Sequence, residues 1–288
     1  MRRSRAFKIG LTAAALTVCA GLLYLLSARD TQRPVLVSTT IEMDVDRTYR
    51  LLHVADLHGK RFGEGQAELA RLLEGKRFDA VLLTGDIVRR LGADRTGALE
   101  LSRLARDHSG LVVYVRGNHD DHLLGAELAE AGVVDITLAP PIDRDGLRVT
   151  RLTGDTAPVR AGEDTGLVVV AEHVPPAPAT LESLTDTASP ATIVLSGHMH
   201  GGQWRLPLLG AAIAPPNRQS GAFALFPELQ GIRTRGVHRD GSTVLHISPG
   251  LGTVSAVGIP YWLGERRLGQ RAQLDELVIV PSGSAEKP

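Results

Sequence analysis

Cysteine is almost absent: Cys19 is the only one in 288 residues. A lone thiol closes no intrachain disulfide and builds no cysteine-based zinc site. Net charge is absent too. Thirty-two Lys and Arg offset 32 Asp and Glu, whereas a general nucleic-acid binder is normally strongly basic, so no nucleic-acid partner is expected. Global disorder is excluded by 43% hydrophobic against 22% charged residues. No internal repeat is visible. The length allows one large domain or two small ones, with a core of useful size. What is there, and needs explaining, is histidine: ten of them.

The zero charge is a sum of unlike parts. Arg2, Arg3, Arg5 and Lys8 put +4 in the first eight residues, so the remainder carries 0 − 4 = −4. The twenty residues Ile9 to Ala28 carry no charge. As a helix they span about 30 Å, the thickness of a bilayer's hydrocarbon core. The basic flank favours a cytoplasmic N-terminus with the bulk of the chain outside. The expected organisation is a cytoplasmic basic segment 1–8, a transmembrane anchor or uncleaved signal 9–28, a linker 29–34, a globular domain 35–281 and a flexible tail 282–288. That organisation makes a single-pass protein of the cell membrane, its domain on the extracytoplasmic side. A cleaved signal peptide is the competing reading. Against it, Leu26-Ser27-Ala28 puts a large residue at the minus-three position, and Val18 before Cys19 suits lipoprotein processing poorly. A buried core helix would be amphipathic, and this run is apolar all round.

From Val35 onward short β-branched runs alternate with helical patterns, which argues an α/β class. Strands are expected at Tyr49–Ala55, Ala80–Thr84, Leu111–Val115, Leu167–Ala171 and Thr192–Ser196, each an apolar run bounded by Gly, Asp or Pro. Helices are expected at Gln66–Glu74 and Asp94–Arg106, where Leu69, Leu72 and Leu73, and then Leu101, Leu104 and Ala105, fall at i, i+3 and i+4. The later strands Leu147–Leu152, Thr243–Ile247 and Glu276–Val280 have no helices between them and suggest a second sheet with antiparallel pairing.

The histidines and aspartates gather just after these strands, as Asp56-Leu57-His58, Gly85-Asp86, Gly117-Asn118-His119-Asp120, His173 and Gly197-His198-Met199-His200. In α/β sheets the loops beyond the carboxyl ends of strands form the binding crevice, so five loops converge. They bring two carboxylates (Asp56, Asp86), one amide oxygen (Asn118) and four imidazoles (His58, His173, His198, His200). Seven ligands exceed one tetrahedral ion and suit two divalent ions with a bridging carboxylate. A nitrogen and oxygen set without thiolate fits manganese, iron or zinc.

The ordered pattern D-x-H, GD, GNH[DE], H, GHxH resembles that of the calcineurin-like metallophosphoesterases, over about Tyr49 to Gln203. Spacings of 30 residues from Asp56 to Asp86, 32 on to Asn118 and 25 from His173 to His198 are family-like too. Gly201-Gly202-Gln203 and the Gly250-Leu251-Gly252 turn resemble a membrane-associated bacterial branch, although Pro249 stands where that branch usually has Arg. The resemblance implies a four-layer α/β/β/α sandwich of two mixed sheets. It implies that Asp56, His58 and His200 hold one metal, that Asn118, His173 and His198 hold the other, and that Asp86 bridges them. His119 would face the substrate phosphate as general acid, its imidazole oriented by Asp120. The implied reaction is attack on phosphorus by a metal-activated hydroxide, on a phosphodiester or pyrophosphate. A metal-binding membrane scaffold without turnover is the alternative, and a hydrolase of a non-phosphate bond is a third reading. An anchored site suggests a lipid-linked or envelope phosphoester.

Lys60, Arg61 and Arg116 flank the ligand loops and are candidates for phosphate contact, with a solvated surface as the plain alternative. Pro215–Gly221 follows the ligand loops and is a candidate substrate-side loop. Trp204 is expected to pack. His53 is expected to be a satisfied strand histidine, and His108, His122, His238 and His246 lack motif context.

Overall fold

Apolar runs that alternate with amphipathic ones can bury themselves only in layers. The computed structural model describes residues 2–90, 92–152, 164–185, 191–254 and 264–283, excepting the side chains of 2–10, 13 and 185. The chain begins with helix α1 (Arg2–Gln32), followed by β1 (Val35–Met43), β2 (Tyr49–Val54), α2 (Ala67–Leu73), β3 (Ala80–Leu83), α3 (Thr96–His108), β4 (Val112–Tyr114), α4 (Leu124–Glu130) and β5 (Val134–Asp135). Next come β6 (Ile142–Arg144), β7 (Leu147–Thr150), β8 (Leu167–Glu172), α5 (Pro178–Thr185) and β9 (Ala191–Ser196). Two minimal hairpins, β10 (Arg205–Leu206) with β11 (Gly210–Ala211) and β12 (Ile213–Ala214) with β13 (Ala224–Leu225), precede β14 (Gly236–Asp240), β15 (Thr243–Ile247) and β16 (Gln273–Pro281).

Two mixed six-stranded sheets result, ordered β1-β16-β2-β3-β4-β5 and β14-β15-β9-β8-β7-β6. Leu51, Leu82 and Val113 of the first pack against Val149, Val169 and Ile193 of the second. Leu69, Leu101, Leu104 and Leu128 of α2, α3 and α4 cover the first sheet's other face. Leu181 and Leu184 of α5 lie with Val168, Val194 and Leu245 on the second. Helix α3 carries the expected leucine stripe, and Asp94 Oδ1 accepts from Thr96 N at 3.0 Å and from its hydroxyl at 2.7 Å at the helix start.

The expected antiparallel second sheet is corrected. β7, β8, β9 and β15 run parallel, and only the outer pairs β6·β7 and β14·β15 are antiparallel. The strand at Glu276–Val280 belongs to the first sheet instead, antiparallel to β2 and parallel to β1. An apolar run reads alike in either orientation, so only long-range pairing separates the cases.

The linker expected at 29–34 is also shorter. Helix α1 continues to Gln32 because its last turn is docked. The side chain of Asp30 accepts from Gly269 N and that of Thr31 from Arg267 N, each at 2.8 Å. Ahead of that turn Leu16, Val18, Leu22 and Leu25 are exposed. Among the described residues no helix is long and apolar enough to cross a membrane. The tail beyond 283 lies outside the described residues.

The site is positioned by topology. β2, β3, β4, β8 and β9 all release their carboxyl ends toward one end of the sandwich. β1 and β16 run antiparallel to β2, so the start of β1, where α1 arrives, lies at that same end.

Candidate metal centre

Three of the five ligand loops leave a strand in an unusual backbone state. Asp56, His58, Asp86, His198 and His200 have φ of 51°, 50°, 51°, 68° and 51°. This left-handed region is uncommon for residues with a Cβ. Such strain costs about 1–3 kcal/mol per residue and clusters at functional sites. The loops also touch. A Cβ on Gly117 would lie 2.2 Å from Asp86 N and Oδ1, and one on Gly85 2.6 Å from Gly117 N. Glycine at both positions lets two strand ends close on each other.

The seven expected ligands meet in two sets. Asp56, His58 and His200 form one and Asp86, His173 and His198 the other, each with donor atoms within 4.8 Å of one another. His58 Nε2 lies 3.2 Å from His200 Nε2. Asn118 Oδ1 lies 2.9 Å from His173 Nε2 and 3.0 Å from His198 Nδ1. Asp86 Oδ2 belongs to both sets, at 3.2 Å from His173 Nε2 and 3.7 Å from His58 Nε2. That oxygen is buried and has no hydrogen-bond partner among the described residues. Bonds of about 2.0–2.1 Å from one ion place neighbouring ligands about 3.3 Å apart, within the 2.9–3.8 Å range found. The donors therefore fit divalent cations, with Asp86 placed to bridge.

Neighbouring carbonyls fix the tautomers. His173 Nδ1 donates to Thr84 O at 2.9 Å and His198 Nε2 to Pro216 O at 2.7 Å. A backbone carbonyl is the outer partner that metal-binding histidines use, and in the neutral ring it leaves the other nitrogen, on the Asn118 side, as the lone pair a metal takes. Burial pushes His58 down to about 3 and His200 well below the ordinary range, so both rings are neutral. Burial opposes charge on His173 as well. The adjacent Asp86 carboxylate, with the charge of Asp56, outweighs it and lifts His173 to about 9. Burial carries Asp56 up to about 7, while His173 holds Asp86 below the ordinary carboxylate range against the same burial. Without metal, a proton on His173 takes the place of the cation.

His119 sits beside these sets without joining the second. Its Nδ1 donates to Arg89 O at 2.8 Å, and its ring meets that of His58 edge-on, centroids 4.9 Å apart. The expectation that Asp120 orients this ring is corrected. Asp120 Oδ1 accepts from Val88 N at 3.0 Å, and Oδ2 accepts from Gly117 N at 3.0 Å and Tyr114 Oη at 2.9 Å. It pins the loop, and the Arg89 carbonyl holds the imidazole. A backbone acceptor leaves no mark in sequence, whereas Asp120 adjoined the histidine and drew the role.

Lys60 and Arg61 do not reach the centre. Lys60 Nζ donates to Thr31 O and Arg61 pairs with Glu100. Arg116 is exposed. Glu172 turns away from His173 and accepts from Leu152 N at 2.9 Å. His53 is satisfied as expected, Nε2 hydrogen-bonded with Thr84 Oγ1 at 2.8 Å and Nδ1 with His246 Nδ1 at 2.9 Å. His108 and His238 bind backbone carbonyls.

A family profile for calcineurin-like phosphoesterases matches residues 49–202, just over half of the chain. The chain belongs to the calcineurin-like phosphoesterase family. It is a metal-dependent phosphoesterase, a family that works with divalent metals. It is 30% identical to Phosphodiesterase YaeI of Escherichia coli over 209 residues, 66% of this chain and 75% of that protein. It is 30% identical to the uncharacterized metallophosphoesterase YkuE of Bacillus subtilis over 144 residues, 50% of this chain and 40% of that protein. The solved phosphopantetheinyl hydrolase PptH of Mycobacterium tuberculosis overlays at a TM-score of 0.37 and 11% identity, over 75% of this chain and 89% of that one.

Two further features of this phosphoesterase escaped the sequence reading. Arg267 is fully buried and donates to Gly252 O, Pro249 O and His200 O, so it ties a ligand loop to the glycine turn. A lone arginine outside any motif gives no sequence signal. The second is a cavity of about 290 Å³ beside the centre, reaching from Asn118 and His119 to Trp204, Ile213, Phe223 and Val254. Trp204 lines it while its Nε1 donates to Arg266 O at 2.7 Å. Pro215 and Pro216 line it too, in keeping with a substrate-side loop.

Proposed function

We propose that this chain is a membrane-anchored phosphodiesterase that uses two divalent cations, with His119 as general acid. The observation that carries the two-ion reading is Asp86 Oδ2, one buried and unpartnered oxygen within reach of both ligand sets. Asp56, His58 and His200 would hold one ion, Asn118, His173 and His198 the other. When bound, such ions neutralise phosphoryl oxygens and acidify a water. The protein's own part is positional. Thr84 and Pro216 carbonyls keep His173 and His198 presenting lone pairs. Asp86 Oδ1 accepts from His119 N at 2.7 Å and so ties the acid to the bridging carboxylate. The Arg89 carbonyl fixes His119 Nδ1–H, leaving Nε2 to hand a proton to the leaving oxygen.

Preference for a diester is supported by the cavity's apolar wall of Trp204, Ile213 and Phe223, which offers room for a second ester group, and by the E. coli relative's name, Phosphodiesterase. A lipid-linked or envelope phosphoester is favoured by the uncharged run 9–28 and by α1 joining the domain at the site end. The basic residues before that run favour a domain on the extracytoplasmic side. Protease access in intact spheroplasts checks this, and a protected domain overturns it.

The test uses the full chain, stripped by chelator and reloaded with manganese. Bis-(p-nitrophenyl) phosphate should be hydrolysed faster than p-nitrophenyl phosphate, with two ions bound per chain by elemental analysis. His119→Ala should keep both ions and lose about 10²–10⁴-fold in turnover of an alkyl diester. Two bound ions with no hydrolysis of any phosphoester would leave the scaffold reading.

A further inference from the structure

The segment 204–231, which follows the last ligand loop, has an unusual surface. Its only charged residues are Arg205, Arg218 and Glu228, and each is paired. Arg205 grips Glu228 through two bonds of 2.7 and 2.8 Å, and Arg218 Nη2 lies 3.6 Å from the buried Glu172. Most of the exposed large side chains are apolar. Leu206, Leu208 and Leu209 surround the β10–β11 turn, and Phe223, Leu225 and Leu229 follow. Leu208 is completely exposed, Leu225 65% and Leu229 67%. Scattered surface leucines need no explanation, but a group drawn from one short segment whose charges are all paired marks an interaction surface.

Two observations say what that surface meets. The apolar wall of the cavity, Trp204, Ile213 and Phe223, belongs to the same segment, so apolar surface runs from the metal centre to the outside. Helix α1 also arrives at this end and is coupled to the segment through one residue. The Tyr24 ring lies 4.3 Å from the Arg266 guanidinium, whose Nη2 donates to the Tyr24 hydroxyl at 3.0 Å. The Arg266 carbonyl in turn holds Trp204. Above Tyr24 the helix exposes Leu16, Leu22 and Leu23.

We infer that segment 204–231 is a lipid-contact surface, seated at the headgroup–acyl boundary of the bilayer that α1 engages, so that the cavity mouth opens against the membrane. This rests on the membrane placement proposed above. Internally paired charges let the hairpins enter the interface without carrying an unpaired ion into it, and apolar side chains supply the partitioning. One helix leaves the domain free to turn about its axis, and a second contact fixes which face meets the lipid. The substrate's phosphoester is then met at headgroup depth while an apolar substituent lies along Trp204 and Phe223.

The test is made on the full chain in a Cys19→Ser background, in phosphatidylcholine–phosphatidylglycerol vesicles. Leu208→Cys carries an environment-sensitive dye. Arg77→Cys, exposed before β3 at the opposite end, is the control. The dye at 208 should shift to the blue and be quenched about twofold or more by brominated acyl chains, while the dye at 77 should not change. Leu208→Asp with Leu229→Asp should lower hydrolysis of a vesicle-borne phosphodiester about tenfold and leave bis-(p-nitrophenyl) phosphate turnover unchanged. A chain retained on vesicles with 208 as wet as 77 overturns the inference alone. A blue shift without lipid quenching assigns the face to a second copy and also overturns it. A chain that does not stay with the vesicles overturns the membrane placement and this inference together, while the soluble diester still reports on the phosphoesterase.

Discussion

Replacing Arg267 with methionine tests how the ligand loops are held. The guanidinium is fully buried, and its four hydrogen bonds all go to backbone carbonyls: Gly252 O from Nε at 3.0 Å and Nη2 at 2.6 Å, Pro249 O at 2.7 Å, and His200 O at 3.3 Å. Burial lowers its pKa to about 10, so it stays charged at neutral pH. Methionine fills much of the volume and donates nothing. His200 O keeps Gln203 N at 2.9 Å, but Pro249 and Gly252 lose the guanidinium. An orphaned buried acceptor costs about 1–3 kcal/mol, or about 2–6 for two. Removing a buried cation also relieves part of its desolvation penalty, which offsets some of this and leaves a net loss of about 1–3 kcal/mol. The loop carrying His200 loosens, and Asp56 loses a cation that favours its ionised form. Manganese affinity should fall about 10–100-fold, the range for lost supporting contacts. Urea unfolding of the metal-free chain and calorimetric titration with manganese read the two effects. Arg267→Lys restores a charge but cannot span three carbonyls, so it should recover part of the affinity and little stability. A methionine variant that unfolds within about 0.5 kcal/mol of the parent and binds manganese equally well refutes the reasoning.

Asp120→Ala strands Val88 N, Gly117 N and the Tyr114 hydroxyl and should cost about 2–4 kcal/mol. Manganese affinity should weaken with it while the alkaline limb of the rate profile stays put, whereas a shifted limb would restore the orienting role. Gly117→Ala drives a Cβ to 2.2 Å from Asp86 N and Oδ1. It should destabilise by about 1–3 kcal/mol or more and weaken manganese binding at least about tenfold, and native affinity in calorimetry would count against a bridging Asp86. In the metal-free chain His173 is raised to about 9. Its contribution to stability is therefore full below its unfolded value near 6.5 and is lost as pH rises through 9. Above about 7 Asp56 has ionised, while Lys60, lowered by burial to about 7, adds stability as pH rises, so the His173 loss is read against a variant. Between pH 7 and 9 in chelator the melting temperature of the parent should drop relative to that of His173→Gln, with parallel curves as the contrary result.

The site was legible because ligation chemistry demands particular residue types just after strands. Asp56, His58, Asp86, Asn118, His173, His198 and His200 could be named without knowing how the sheets pair. What supports them was not legible. Thr84, Arg89 and Pro216 act through main-chain carbonyls that every residue possesses, so their identity carries no message. Asp120 misled for the converse reason, as its nearness in sequence to His119 is not nearness of its carboxylate to the ring.

Local chemistry and apolar period thus determined, from the sequence by itself, an α/β chain with its ligands at strand ends and an uncharged run at 9–28. Tertiary structure decided the rest, because it depends on pairing between distant segments. It sent the strand at Glu276–Val280 into the first sheet. That antiparallel step beside β2 brings β1, and with it α1, to the end where the metal ligands meet. It also left the leucines of 206–229 exposed at that end and paired their neighbouring charges, an arrangement that no run of residues announces.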